Sequence, residues 1–253
     1  MISSFLIHYT KLSTRLPNAL HALSAVGLTP EVITCWDGDN LMNTQKDYVF
    51  SDAAWLMRIR TIAPILLANA GSTSVLKNKT ISDVTSTSEA VQLLPDWMHP
   101  RALGCGEISV LLKHYHALSK IAQGNKNYGL IAEDDILLGS RSAELFTVSS
   151  KGFASCSGDY LDLAGGCGLR IRNKNSKDNI SRVSPPNTRT NACYIVSRDL
   201  ARLLVENYFP FIHPIDWHLL YLLNILNVDR CYWTVEEVFI HGSECGAYSS
   251  WRG

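Results

Sequence analysis

Neither sign of charge dominates this chain. Its 253 residues hold 23 Lys and Arg against 23 Asp and Glu, a formal net charge of zero. The bulk electrostatics therefore ask for neither a nucleic-acid backbone nor an anionic membrane as partner. Long apolar runs are also missing. No stretch approaches the about 20 residues that cross a bilayer, and Leu219 to Leu226 is broken by Tyr221 and Asn224. The opening MISSFLIHYTKLSTR has no basic start and an apolar run of only Phe5 to Ile7, too short for a signal-peptide core. No cysteine pair has CxxC spacing, and the count of seven is odd. Zinc sites and a disulfide frame are thereby disfavoured, leaving buried free thiols of a reducing compartment. The sequons at Asn78 and Asn179 carry little meaning without a secretory signal. Repeats, heptads and an obvious linker are absent too. The expectation is a cytoplasmic protein.

What is present is ordinary globular material, 46% hydrophobic and 18% charged, long enough for one large α/β domain. Strand and helix patterns alternate. Phe5 to His8 reads as a first strand, and Thr14 as the cap of a helix through Leu16, Leu20, Leu23 and Val26, stopped by Gly27. Val32 to Cys35 reads as a second strand, ending in Trp36-Asp37-Gly38. Asp37 is then either a turn-maker or a carboxylate placed for a ribose or base. Asp52 to Ala70 has helical periodicity, with Pro64 arguing for a kink or two helices. Ser72 to Ser88 reads as loop. Glu107 to Ala122 is a stronger helix. Tyr160 to Leu163 and Ala192 to Val196 read as strands, Asp199 to Tyr208 as a helix, and Asn173 to Arg189 as a surface loop. Pro214 opens a last helix, and Trp233 to Ile240 reads as a final strand leading to His241.

The most informative stretch is Tyr128 to Leu138, YGLIAEDDILL. A continuous apolar run suits a central strand covered on both faces. It ends in three consecutive acids, Glu133, Asp134 and Asp135. Three buried carboxylates are costly unless water, a cation or positive groups meet them. In open α/β sheets ligands bind beyond the carboxyl ends of strands, so a divalent cation with a phosphorylated ligand would account for the cluster. A solvated acidic turn is the alternative.

The order of motifs resembles glycosyltransferase family 25, which includes lipooligosaccharide and collagen hydroxylysine galactosyltransferases. FLIHYTKLSTR through VITCWDGDNL is similar to the family's opening strand, basic loop and Asp-Gly segment. Its middle motif, roughly R-x-L-x-x-G-E-I-G-C-x-x-S-H before an E-D-D strand, is matched by Arg101, Leu103, Gly106, Glu107, Ile108 and His114, then Glu133-Asp134-Asp135. Ser109, Val110 and Lys113 depart from the family's Gly, Cys and Ser. GDYLDLAGG, NACYIVSRDLARLL, PIDWHLL and HGSECGAYSS look like its later blocks, whereas Asp39 to Pro100 matches poorly.

The resemblance implies a single GT-A-type nucleotide-sugar-binding α/β domain over residues 1–253, with a mixed central sheet flanked by helices. Its nucleotide-binding part would be about 1–140 and its acceptor-binding part about 141–253. It implies a metal-dependent inverting hexosyltransferase, with manganese or magnesium as cofactor and a UDP-sugar, galactose foremost, as donor. The acceptor would be a glycan or glycolipid hydroxyl, as in lipooligosaccharide biosynthesis, and the protein would sit peripherally on the membrane carrying it. Carboxylate-held metal offsets the charge of a departing diphosphate. On this reading Asp135, Glu133 and His241 hold the metal, although His241 also reads as an ordinary loop histidine. Lys11, Arg15, Asp37, Glu133 and Asp134 would contact the nucleotide or its ribose and pyrophosphate. Inversion needs a base on the acceptor hydroxyl. Asp216 is the first choice, with Asp162 and then Asp159 behind it; Asp216 also reads as a helix cap. Glu107 and His114 share a helix face, and Glu107 also suits the helix dipole. Trp217, Trp233, Tyr248 and Trp251 are core aromatics or an acceptor platform.

Two other classes compete. A metal-dependent nucleotidyltransferase would want a glycine-rich phosphate loop early in the chain, and LIHYTKLSTR has no glycine. A degenerate, non-catalytic sugar- or partner-binding relative would fit the three motif departures, but not the intact carboxylates.

Overall fold

The computed structural model describes residues 2–41, 51–70, 81–171 and 176–249. Strand β1 (Ile2–Ile7) pairs in parallel with β2 (Glu31–Ile33) on one side and β3 (Tyr128–Glu133) on the other. The parallel arrangement follows from what lies between them. Helix α1 (Leu16–Ala25) carries the chain from β1 to β2; α2 (Asp52–Asn69), α3 (Thr87–Leu93) and α4 (Cys105–Gln123) precede β3, and parallel neighbours require such crossovers.

Beyond β3 the sheet becomes mixed. After β4 (Ile136–Leu138) and α5 (Ser142–Ser155) come β5 (Tyr160–Asp162), β6 (Ile180–Arg182) and β7 (Cys193–Ser197). Then follow α6 (Arg198–Glu206), α7 (Ile215–Ile225), β8 (Cys231–Thr234) and β9 (Phe239–His241). The seven-stranded sheet has the order β2-β1-β3-β7-β5-β8-β6, with β7 antiparallel to both β3 and β5. Both halves of the chain thus share one sheet, and β3 lies near its middle.

The continuous apolar run of β3 has a direct cause. Successive side chains point to opposite faces, and both faces are covered. Ile131 joins Phe5, Ile7 and Tyr194 in the core beneath α2, α4, α6 and α7. Leu130 and Ala132 join Leu6, Cys193 and Ile195 in the second core, with α1 and α5. The expected α/β class with a mixed central sheet flanked by helices is what the structure shows.

Several local expectations are corrected. Helix α2 runs unbroken through Pro64: its buried face of Trp55, Leu56, Ile59, Ile62, Ala63 and Leu67 packs well enough to outweigh the roughly 3 kcal/mol of an interior proline. Thr14 does not cap α1; Arg15 takes the N-cap position and makes no side-chain cap bond. The stretch Trp233 to Ile240 divides between β8 and β9, which lie in different sheets. The Asn173 to Arg189 loop contains the edge strand β6, and the expected Ser72 to Ser88 loop contains the start of α3. Residues 72–80, and with them the Asn78 sequon, lie outside the described residues, as does Trp251. All seven thiols are free, but only Cys193 and Cys231 are buried.

The short pair β4–β9 matters most for the site. Its register sets Ile136 opposite His241, which delivers a residue from the end of the chain to the end of β3.

Gly129 provides a test of how tightly the sheet meets α4. A Cβ there would lie 2.3 Å from Cγ1 and Cδ1 of buried Ile121. Gly129→Ala is expected to lower stability by about 1–3 kcal/mol through overpacking, seen as a lower urea midpoint. An unchanged midpoint would show that α4 gives way freely.

Candidate active site at the carboxyl ends of β1 and β3

A cleft of about 740 Å³ opens where β1 and β3 end. Its walls come from the loop after β1, the start of α4, the end of β3, the start of α7 and the turn after β9. The three acids of β3 all line it, but strand alternation and the turn that follows send each toward different partners.

Asp134 faces the loop after β1. Its Oδ2 accepts from the Tyr9 N–H at 3.1 Å and lies 2.7 Å from His8 Nδ1. Arg15 Nη1 approaches Oδ1 at 3.4 Å. Arg15 is itself fixed, donating to the Ser249 carbonyl at 2.5 Å with its guanidinium over the Tyr248 ring. Asp134 is therefore a buried anchor between β1 and β3, and Arg15 is the cation it holds at the cleft wall.

Asp135 turns toward β9. Its Oδ2 accepts from Ser243 Oγ at 2.5 Å and meets His241 Nε2 at 3.0 Å, while its carbonyl accepts from the Gly242 N–H at 2.8 Å. Glycine is needed at 242, because a Cβ would sit 2.6 Å from that carbonyl oxygen. Burial works to raise Asp135, but the His241 and Ser243 hydrogen bonds outweigh it and leave its pKa lowered. Burial likewise works against the His241 cation, and Asp135 overcomes it, raising His241 to about 9. Near neutral pH the pair is imidazolium and carboxylate. Among the described residues, Asp135 Oδ1 is buried and has no hydrogen-bond partner.

Glu133 points toward α4, with Oε1 3.2 Å from His114 Nε2. Burial, then the charge of Asp135, lifts Glu133 to about 8, and burial lowers His114 to about 3. Both are neutral at pH 7, so this contact is a hydrogen bond and not an ion pair. His114 Nδ1 meets the Tyr194 hydroxyl at 3.0 Å. A chain from Tyr194 through the imidazole to Glu133 satisfies all three groups.

Asp216 stands at the first turn of α7 and also lines the cleft. Its pKa is raised well above the ordinary carboxylate value, by burial first and then by Glu133 and Asp162. It does not cap α7: Pro214 occupies that position without a side-chain cap bond.

Not every residue singled out in the sequence belongs to the cleft. Asp162 is 1% exposed and held by Arg189 through Nε at 3.0 Å and Nη2 at 2.7 Å, with Gly165 N–H at 2.9 Å; it lies behind the wall, where it takes up the charge of a buried arginine. Asp159 pairs with Arg230 at 2.9 Å. Lys11 pairs with Asp39 outside the lining residues. Asp37 is buried and pairs with Lys113, and it accepts from the Thr10 hydroxyl at 2.5 Å. Burial raises its pKa, but Lys113 and Thr10 leave it lowered overall. It therefore braces the β1 loop and does not line the cleft. Trp233 is a core residue whose indole donates to the Asn187 carbonyl at 2.8 Å. Glu107, by contrast, does line the cleft, where it accepts from the Gly104 N–H at 3.0 Å at the start of α4 and pairs with Arg101.

Sequence reasoning missed His8, Lys113, Ser243, His213 and Trp97. Lys113 had a signal, being one of three positions that depart from the motif the sequence resembles. It is 1% exposed and also donates to the His8 carbonyl at 2.6 Å, so the departing residue is the ion partner of Asp37.

Asp135 Oδ1, orphaned beside the Glu133 carboxyl, fits a hard divalent cation. His241 Nε2 meets Asp135, while its Nδ1 is buried without a hydrogen-bond partner among the described residues. Among the described residues no group of three or more His, Cys, Asp or Glu stands in metal-ligand geometry.

No protein-family model and no curated protein matches the sequence. Among solved structures the chain is similar to S. aureus TarS 1-349, at 14% identity and TM-score 0.45 over 96% of this chain and 61% of that one. It is also similar to UDP-glucose pyrophosphorylase from Acinetobacter baumanii, at 12% identity and TM-score 0.44 over 92% and 86% of the two chains. TarS 1-349 in complex with UDP-GlcNAc matches at 14% identity and TM-score 0.42 over 99% and 62%. The chain thus spans about 61% of the TarS structure's length. Among the described residues no helix is long and apolar enough to cross a membrane.

The raised Glu133 sets a sign. Folding holds its proton up to about pH 8, while the unfolded carboxyl releases it near pH 4.5, so stability falls with rising pH across that window. In chelator, Glu133→Gln is expected to melt higher than the wild type by a margin that widens from pH 5 to pH 8. A constant margin would refute the raised pKa. For the Asp37 pair, Lys113→Met strands a buried carboxylate and should cost about 3–5 kcal/mol. Adding Asp37→Asn should recover part of that loss in denaturant titrations; strict additivity would mean the two do not interact.

Proposed function

We propose that the chain is a cation-assisted inverting glycosyltransferase of the GT-A type, transferring a sugar from a UDP-sugar to a hydroxyl of a glycan or glycolipid. The observation that carries this reading is the meeting, in one cleft, of Asp135 Oδ1, buried without a hydrogen-bond partner among the described residues at the end of β3, with Asp216 at the start of α7, a carboxyl whose pKa burial raises well above its ordinary value. Family 25 membership, galactose as the sugar and manganese as the metal are the finer parts of the proposal; the motif order carries them.

Each residue then has a task. Asp135 and Glu133 would hold the cation, whose positive charge would offset the charge of the departing diphosphate. Arg15, fixed by Asp134, presents a cation toward the same end of the cleft. His241 and Ser243 orient Asp135, and His114 orients Glu133. In the transfer the acceptor hydroxyl oxygen forms a bond to the anomeric carbon from the side opposite the diphosphate. The bond to the diphosphate oxygen breaks, the diphosphate leaves with the electron pair, and the hydroxyl proton passes to Asp216. An elevated pKa makes Asp216, once ionised, a stronger base than an ordinary carboxylate.

Calorimetry of the pure protein with UDP-galactose, UDP-glucose and UDP-GlcNAc, with and without manganese, tests the donor. Absence of binding by all three in both conditions would sink the reading. Asp216→Asn is expected to lower transfer by about 10²–10⁴ while leaving UDP-sugar binding intact. The acid limb of the wild-type rate profile should lie well above the usual aspartate range. Asp135→Ala should abolish the metal dependence of nucleotide binding.

A further inference from the structure

The cleft lining also holds residues that the donor chemistry does not use, Trp97, His213 and Trp217 among them. There Trp217, adjacent to Asp216 in α7, meets Trp97 edge to face with ring centroids 5.7 Å apart. Trp97 is 52% exposed and comes from a single 3-10 turn, Asp96–Met98, that precedes α4. Trp217 also meets His213, 5.7 Å between ring centroids. His213 is 3% exposed and lines the cleft, yet among the described residues its Nε2 has no hydrogen-bond partner. Burial, together with Arg58 and Arg101, lowers His213 to about 3, so the imidazole is neutral. The nearest cleft-lining cation, Arg101, is matched in charge by Glu107 through contacts of 2.7 and 2.5 Å.

An indole face next to a buried, unmatched neutral imidazole is the complement of a sugar ring. The apolar C–H face covers the indole, and a ring hydroxyl meets the orphaned nitrogen, whose desolvation is otherwise uncompensated. A compensated arginine adds no net charge to attract an anion. We propose that Trp97, Trp217 and His213 form the acceptor subsite, and that it takes a neutral hexose glycoside. The inference rests on the glycosyltransferase reading and deepens it, because the stacked ring lies next to Asp216.

Saturation-transfer NMR and tryptophan emission with methyl β-galactoside, lactose and methyl β-glucuronide test it, alongside calorimetry with UDP and manganese. A neutral glycoside is expected to bind and shift the emission. Trp97→Ala and His213→Gln should each weaken it roughly fivefold, with UDP affinity unchanged. Trp97 is exposed enough for its replacement to fold. UDP binding without any glycoside binding would overturn the subsite and leave the donor reading standing. Glycoside binding without UDP binding would overturn the donor reading and, with it, the acceptor role of this sugar site. A glucuronide preference, or glycoside affinity untouched by both variants, would also overturn the proposal.

Discussion

Everything at this site depends on how a buried strand ends in three consecutive carboxylates. Leaving water costs each of them several kcal/mol unless a partner replaces the lost hydration. The fold meets that demand three different ways. Asp134 is charge-matched by Arg15 and bonded to the chain of β1. Asp135 is matched by the His241 cation. Glu133 is left protonated against a neutral histidine. Separate partners for adjacent acids require separate elements around the strand end, which is why the β1 loop, α4 and β9 all converge there.

That convergence also decides what chemistry the cleft permits. A strand end that had neutralised all its acids would be structural only. Here, among the described residues, Asp135 Oδ1 remains buried without a hydrogen-bond partner, and burial keeps the neighbouring Glu133 carboxyl protonated up to about pH 8. Across the cleft, Asp216 is subject to the same desolvation and the repulsion of Glu133. The acids are therefore coupled, and a cation entering among them would release protons and restore negative charge.

The same economy of partners explains the Lys113–Asp37 pair. A carboxylate at the end of β2 reads as a ligand contact when only the sequence is in view. Lys113, on α4 at the cleft wall, pairs with it and ties the helix to the loop after β1. The position that departs from the resembled motif is thus the one that holds Asp37.

The sequence by itself determined the sheet and its central strand. Short apolar runs mark β1, β3 and β7, helical periodicity marks α4, and the acids at 133–135 announce a site because buried charge is rare without reason. It also marked Asp216 and His241 as candidates, through Pro214 before one and a strand before the other. Which acid is paired, protonated or orphaned was decided only by the tertiary structure. Two of those states depend on distant partners, His241 106 residues from Asp135 and Arg15 119 residues from Asp134, and no local pattern encodes such distances. The burial of Asp162 under Arg189, the unbroken helix through Pro64, and the meeting of Trp97 with Trp217 have the same origin. Each is a packing outcome, set by what the rest of the chain places against a residue.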